Sequence, residues 1–137
     1  MPGAALEKFS QINQSSRETL NTDVETSGLP RPLSGYQKNV PAFSFAGLRS
    51  AFERLVETRG PMEEEERRRI GRAGQVVAFE HVAEKCVLGI KSREITFGEG
   101  NLVVSGGVAS NMAFRKMLFS LEIWLMVDYE TRWIEVD

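Results

Sequence analysis

Leu102-Val-Val-Ser-Gly-Gly-Val-Ala-Ser-Asn111, followed by Arg115 and Leu118, is the stretch on which the fold reading turns. Asn101 to Ser105 is the best strand candidate in the chain. It runs straight into Gly106-Gly107, and a helix is expected to begin near Ser110, with Met112 to Leu118 inside it. Strand, glycine turn and helix start, in that order, make a phosphate- or nucleotide-binding geometry. The glycines let the backbone approach a ligand, and the helix start offers N–H groups and a positive dipole end. Asn111 adds an amide that both donates and accepts hydrogen bonds. The same residues also read as a tight strand-to-helix turn with Ser110 or Asn111 as its N-cap.

Working upstream, Gly98-Glu-Gly100 is a turn and Glu94 to Phe97 a weak strand. Val76, Phe79, Ala83, Cys86 and Ile90 are spaced by 3, 4, 3 and 4, so a helix buries one face as far as about Lys91. Pro61 is expected to start it. Gly74 lies inside it and should cost ~1 kcal/mol relative to Ala. Glu63–Arg67, Glu64–Arg68 and Glu65–Arg69 are i,i+4 pairs, each worth ~0.2–0.5 kcal/mol. Arg67-Arg68-Arg69 could face RNA, but a solvated helix start explains it more simply. His81 and Cys86 are about 140° apart around such a helix and form no dyad. The simplest reading makes His81 a partly exposed helix residue and Cys86 a small core residue.

A preceding helix carries Leu48, Ala51, Phe52, Leu55 and Val56 on one stripe and ends at Gly60. Phe43-Ser44-Phe45 alternates like a short strand. Residues 10–41 are polar, and Pro30, Pro32 and Pro41 argue against helix, so the segment reads as a long surface loop.

Composition excludes several classes of function. One Cys and one His rule out an intrachain disulfide scaffold and leave a Cys/His zinc site two ligands short of four. No nucleophile–base pair can be built around His81. Lys plus Arg is 17 and Asp plus Glu 19, so the net charge of −2 gives no reason to expect general nucleic-acid adhesion or a polybasic membrane anchor. The longest apolar run, Ile123 to Val127, is far short of the ~20 residues that span a bilayer, so no membrane association is expected. Met1 to Lys8 do not read as a signal or transit peptide.

The segment Leu102 to Asn111, with Arg115 and Leu118, closely resembles a signature of the tRNA N6-adenosine threonylcarbamoyltransferases, once called glycoproteases. Three further segments agree in order and spacing. Pro2-Gly3-Ala-Ala-Leu-Glu-Lys8 resembles the family's Gly-Gly-Pro-x-Leu-x-Lys. Leu29-Pro-Arg-Pro-Leu33 resembles its Leu-Pro-Arg-Pro, in the form of the bacterial and mitochondrial branch. Phe43-Ser-Phe-Ala-Gly-Leu-Arg-Ser-Ala51 resembles its Phe-Ser-Phe-Ser-Gly-Leu-Lys-Thr-Ala. The resemblance covers residues 2–118. It implies an α/β chain with a partial actin-like ATPase fold, mainly the second of two lobes around a nucleotide cleft. Residues 1–41 would be linker and loop from the inter-lobe region, residues 42–118 the second-lobe core, and residues 119–137 a tail without family pattern.

The implied reaction transfers a threonylcarbamoyl group from its adenylate to N6 of the adenosine next to the anticodon, in tRNAs reading codons that begin with A. By matched position, Asn111 would contact the nucleoside part of the adenylate, Gly106 and Gly107 would admit it, and Gly3 would match a ligand-contacting glycine. Partners would be threonylcarbamoyl adenylate, tRNA, and a second copy or family partner proteins. The location would be mitochondrial in a eukaryote and cytoplasmic otherwise.

The departures are equally specific. The family's Fe or Zn is held by a His-x-x-x-His helix and an Asp-Asn-Gly or Asp-Asn-Ala motif, and neither occurs here. No metal and no catalytic residue are therefore expected in this chain, and alone it should be inactive. Pro2 replaces the family's first glycine, and Gly74 stands where the family tends to have a larger residue. The chain reads as a fragment of an enzyme, produced for instance by a shifted reading frame or an unspliced intron. The alternative is a non-catalytic remnant that binds a partner.

Overall fold

The backbone before the three prolines contains a helix. The computed structural model describes residues 16–92 and 103–125, and in it Arg17–Ser27 forms α1. The expectation of an irregular loop over residues 10–41 is corrected here. Ser16 caps the helix by accepting the Thr19 N–H at 3.2 Å, and Gly28 ends it in the left-handed conformation at φ 67°. Thr22 and Thr26 donate their hydroxyls to the carbonyls of Glu18 and Thr22, which satisfies these hydroxyls within the helix. The prolines lie beyond the cap and end the helix without preventing it.

Three more helices follow: α2 over Ala46–Arg59, α3 over Glu64–Ser92 and α4 over Met112–Leu125. No strand occurs among the described residues. Phe43–Phe45 is not a strand, because the Ser44 N–H goes to a side chain and pairs with no neighbouring chain. Val103–Ser105 is irregular, while Asn101, Leu102 and the weak strand at Glu94–Phe97 lie outside the described residues. Pro61 sits in a bend, and α3 begins three residues later, at Glu64. α4 runs through position 118 without a break.

α3 is the axis on which the others pack. Its Ala73 and Val77 join Leu29 and Leu48 in one buried cluster, with Val24, Ala51, Phe52 and Leu55 packed around it. Further along, Ala83 meets Phe114 and Leu118 of α4, flanked by Phe79, Val82 and Val104. The helix therefore buries two flanks, where periodicity indicated one face. Val56, expected on the apolar stripe of α2, stays 40% exposed.

Polar ties hold residues 23–38 against α3. Asp23 accepts from Arg72 Nε at 2.7 Å, with both side chains 7% exposed or less, and Glu65 accepts from Arg72 at 3.0 Å. Burial opposes the charge on Arg72, but its bonds to Asp23 and Glu65 outweigh that and raise the guanidinium pKa. Arg69 also leans toward Asp23, so of the three expected helix pairs only Glu64–Arg68 forms as a side-chain ion pair. Arg31 pairs with Glu80, and Lys85 Nζ donates to the carbonyls of Lys38 and Gln37 at 2.8 and 3.3 Å. These ties join residues 49, 49 and 47 positions apart, so the segment runs parallel to α3 at a nearly constant offset.

Removing one partner of a buried ion pair leaves the other charge stranded. Asp23→Ala should lower unfolding free energy by about 3 kcal/mol, and a double Asp23→Leu/Arg72→Met variant should lose less than the single one. Urea denaturation of the three proteins measures both.

Candidate functional site

Two consecutive turns build the segment between Ser105 and α4. Ala109 N–H donates to Gly106 O at 3.0 Å, and Asn111 N–H to Val108 O at 2.9 Å. Gly106 takes φ 95°, which a side chain would strain, so glycine is required there. Ser110 Oγ donates to Gly107 O, and Arg115 Nε ties back to Ala109 O at 2.6 Å. Asn111 is buried, and its Oδ1 accepts the Phe114 N–H at 3.0 Å. The N-cap reading of Asn111 is therefore realised. What the side chain can still offer a ligand is its pair of Nδ2 hydrogens.

This turn forms one wall of a cavity of about 490 Å³. Gly107, Val108, Ser110 and Asn111 line it from one side. Opposite them, α2 supplies Leu48, Arg49, Phe52 and Glu53, with Phe45 just before it. α3 forms the remaining wall, where Gly71 and Gly74 alternate with Gln75, Ala78 and Phe79. The volume falls in the range of small-molecule sites, and the lining is mostly apolar, as such sites usually are. Arg49 and Glu53 pair at 3.0 Å on α2 and are largely exposed.

Of the residues named from the sequence, Gly107 and Asn111 line the cavity, Gly106 shapes the turn that carries them, and Gly3 lies outside the described residues. Phe52, Phe79 and the two α3 glycines were not singled out as ligand-facing. The available signal was the pairing of an aromatic-rich stripe on one helix with Gly71 and Gly74, one turn apart, on the next.

His81 is a second correction. It is 2% exposed, and its Nε2 accepts the Ser44 N–H at 3.1 Å. The rings of Phe45 and Phe43 stand edge-on to it, with centroids 5.3 and 6.1 Å away. The imidazole thus clamps Phe43–Phe45 to α3 and holds Phe45 beside the cavity. Accepting at Nε2 makes it the neutral tautomer with its hydrogen on Nδ1. Nδ1 is buried with no hydrogen-bond partner among the described residues. Burial first, then the nearby charge of Lys85, lower its pKa, and Glu84 opposes them. Cys86 is half-buried, and burial pushes its thiol pKa up, which makes it a poor nucleophile.

The metal that the resemblance implies does not fit the described residues. They contain no group of three His, Cys, Asp or Glu able to hold an ion, and His81 has committed Nε2 to Ser44. No described helix is long and apolar enough to cross a membrane.

A helical unit thus borders an open, mostly apolar cavity with a glycine turn and a capped helix start. No protein-family model matches the chain, and neither does any solved structure. Curated proteins do. The chain is 34% identical to the mitochondrial tRNA N6-adenosine threonylcarbamoyltransferase of Schizosaccharomyces pombe over 121 residues, which is 86% of this chain and 27% of that protein. It is 34% identical to the tRNA N6-adenosine threonylcarbamoyltransferase of Wolinella succinogenes over 89 residues, 64% of this chain and 25% of that one. Against the same enzyme of Paramagnetospirillum magneticum it is 31% identical over 118 residues, 85% and 31% respectively. The chain is a relative of the bacterial and mitochondrial tRNA N6-adenosine threonylcarbamoyltransferases, and it spans about a quarter to a third of the length of those it matches.

The clamp makes stability depend on pH. A depressed histidine pKa stabilises the fold fully above the ordinary value of 6.5, and that contribution is lost as pH falls through the lowered folded value. The melting temperature should fall on going from pH 7.5 to 5.5. His81→Leu should melt lower at pH 7.5 yet fall less over the same interval. Parallel thermal melts check the difference, which separates His81 from the carboxylates common to both proteins.

Proposed function

We propose that this chain is the nucleotide-holding portion of a threonylcarbamoyl-transferring tRNA enzyme. Residues 42–118 would belong to the second-lobe core of an actin-like fold, with α1 docked on it and residues 119–137 as its tail. The substrate is threonylcarbamoyl adenylate, and the acceptor is N6 of the adenosine beside the anticodon in tRNAs reading codons that begin with A. The complete enzyme works in mitochondria in a eukaryote and in the cytoplasm otherwise, as a homodimer or with family partner proteins.

One observation carries this reading. Two segments that resemble the family's motifs, Phe43–Ala51 and Leu102–Asn111, are far apart in sequence and meet at the same cavity. Phe45, Leu48 and Arg49 come from the first, and Gly107, Val108, Ser110 and Asn111 from the second. Apolar walls would take the faces of the base and exclude water, while the turn and Asn111 supply polar contacts at one end. Gly106 and Gly107 admit the ligand to the backbone, and Gly3 would contribute a further contact. The transfer chemistry and the metal are assigned to no described residue.

A second reading, a non-catalytic module that binds a protein partner, draws on the exposed side chains of Phe43, Val108 and Phe119, each at least 50% exposed.

Asn111→Ala separates the two. Loss of the cap should cost ~1 kcal/mol of stability. If Nδ2 also orients the adenylate, affinity for AMP titrated into the full chain should fall by a further ~0.5–1.5 kcal/mol. Calorimetric titration together with a thermal melt on the same variant measures both. A lowered melting temperature with AMP affinity unchanged would overturn the assignment of Asn111, and no AMP binding by the unmodified chain would favour the partner-binding module.

A further inference from the structure

Phe52 and Gly74 meet where α2 and α3 both border the cavity. A Cβ on Gly74 would stand 2.8 Å from Phe52 Cε2 and 3.2 Å from Cδ2. Carbon atoms pack at about 3.5–4.0 Å, so a methyl on Gly74 would push aside the ring edge that now lies against the bare glycine. Glycine weakens a helix interior, and the sequence keeps one here, near the middle of a 29-residue helix. The ring's other neighbours are the filled cluster of Leu48, Ala73 and Val77. A ring displaced from the glycine has the cavity as its open side. Gly71, one turn earlier, borders the same space and keeps that wall low.

We propose that Phe52, seated against Gly74, is the specificity-determining wall of the cavity: it sets a depth that admits a purine base face-on and turns away a larger fused ring system. This rests on the nucleotide reading of the cavity. The chemistry is that of an aromatic face offered to a flat heterocycle, with Phe45 and Phe79 as the other rings around the space. Phe52 is a selectivity residue, and Gly74 positions it. An added methyl at position 74 would displace the ring, which offsets the usual advantage of alanine over glycine in a helix.

The test uses the full chain and two probes, AMP and 1,N6-ethenoadenosine monophosphate, whose base carries a third fused ring. The unmodified chain should prefer AMP. Gly74→Ala should weaken both probes about tenfold by driving the ring into the cavity. Phe52→Leu should move the preference about tenfold toward the etheno compound. The double variant should resemble Phe52→Leu, because the overlap is gone. Gly74→Ala binding both probes as the unmodified chain does, or Phe52→Leu leaving their ratio unchanged, would overturn the proposal. If Gly74→Ala fails to fold by circular dichroism, the probe ratio of Phe52→Leu decides alone, since that substitution creates no overlap. An unmodified chain that binds no AMP removes the adenylate reading and this proposal together. AMP binding with an unmoved ratio removes only the role of Phe52.

Discussion

The contact between the Phe52 ring and Gly74 is the constraint from which the cavity wall follows. A side chain at position 74 would meet the Phe52 ring and push it away from α3. Because Gly74 has no side chain, the ring edge fits against α3 while Phe52 both packs on the core cluster and lines the cavity. The glycine turn after Ser105 then needs only to close the opposite wall. The site is thus a by-product of how α3 is shared among its neighbours. Ala73 and Val77 serve α1 and α2, Phe79 and Ala83 serve α4, and the cavity opens where these two flanks diverge.

Much of this was legible in the residues. The existence and approximate extents of α2, α3 and α4 and the glycine turn followed from periodicity and capping chemistry, which are local, although α3 starts three residues after the Pro61 expected to open it. The resemblance of Leu102–Asn111 and Phe43–Ala51 to family motifs pointed to the two segments that meet at the cavity. What escaped notice was tertiary. α1 is mostly hydrophilic, and its helix is held by a buried Asp23–Arg72 pair and by the Ser16 cap, neither of which leaves a periodic apolar trace. Phe43–Phe45 alternates like a strand, yet an imidazole thirty-seven residues away takes its backbone hydrogen. A lone histidine on a helix looks exposed until the segment that covers it is known. Gly74 could be judged from the sequence only by propensity, because the ring an added methyl would meet belongs to another helix.

The polar groups around the cavity are few, and most are already engaged. Asn111 Oδ1 caps α4, Ser110 Oγ closes its own turn, and Arg49 pairs with Glu53. Such a site would hold a base by shape and apolar contact more than by a hydrogen-bond code. An adenylate's charged portion would have to be met elsewhere.

The constant offset of the ties between residues 23–38 and α3 bears on how the unit assembles. Asp23–Arg72, Arg31–Glu80 and Lys38–Lys85 each close a loop of nearly the same size. Closure entropy grows only with the logarithm of loop length, so three independent closures would each pay almost the same toll. Here the toll falls once. When any one tie forms, the others are brought into register along a preformed helix, and each then needs only local ordering. Docking of α1 and the Leu-Pro-Arg-Pro segment on α3 is therefore expected to be cooperative. The chain between them, which contains the whole of α2, is captured inside that loop as it closes.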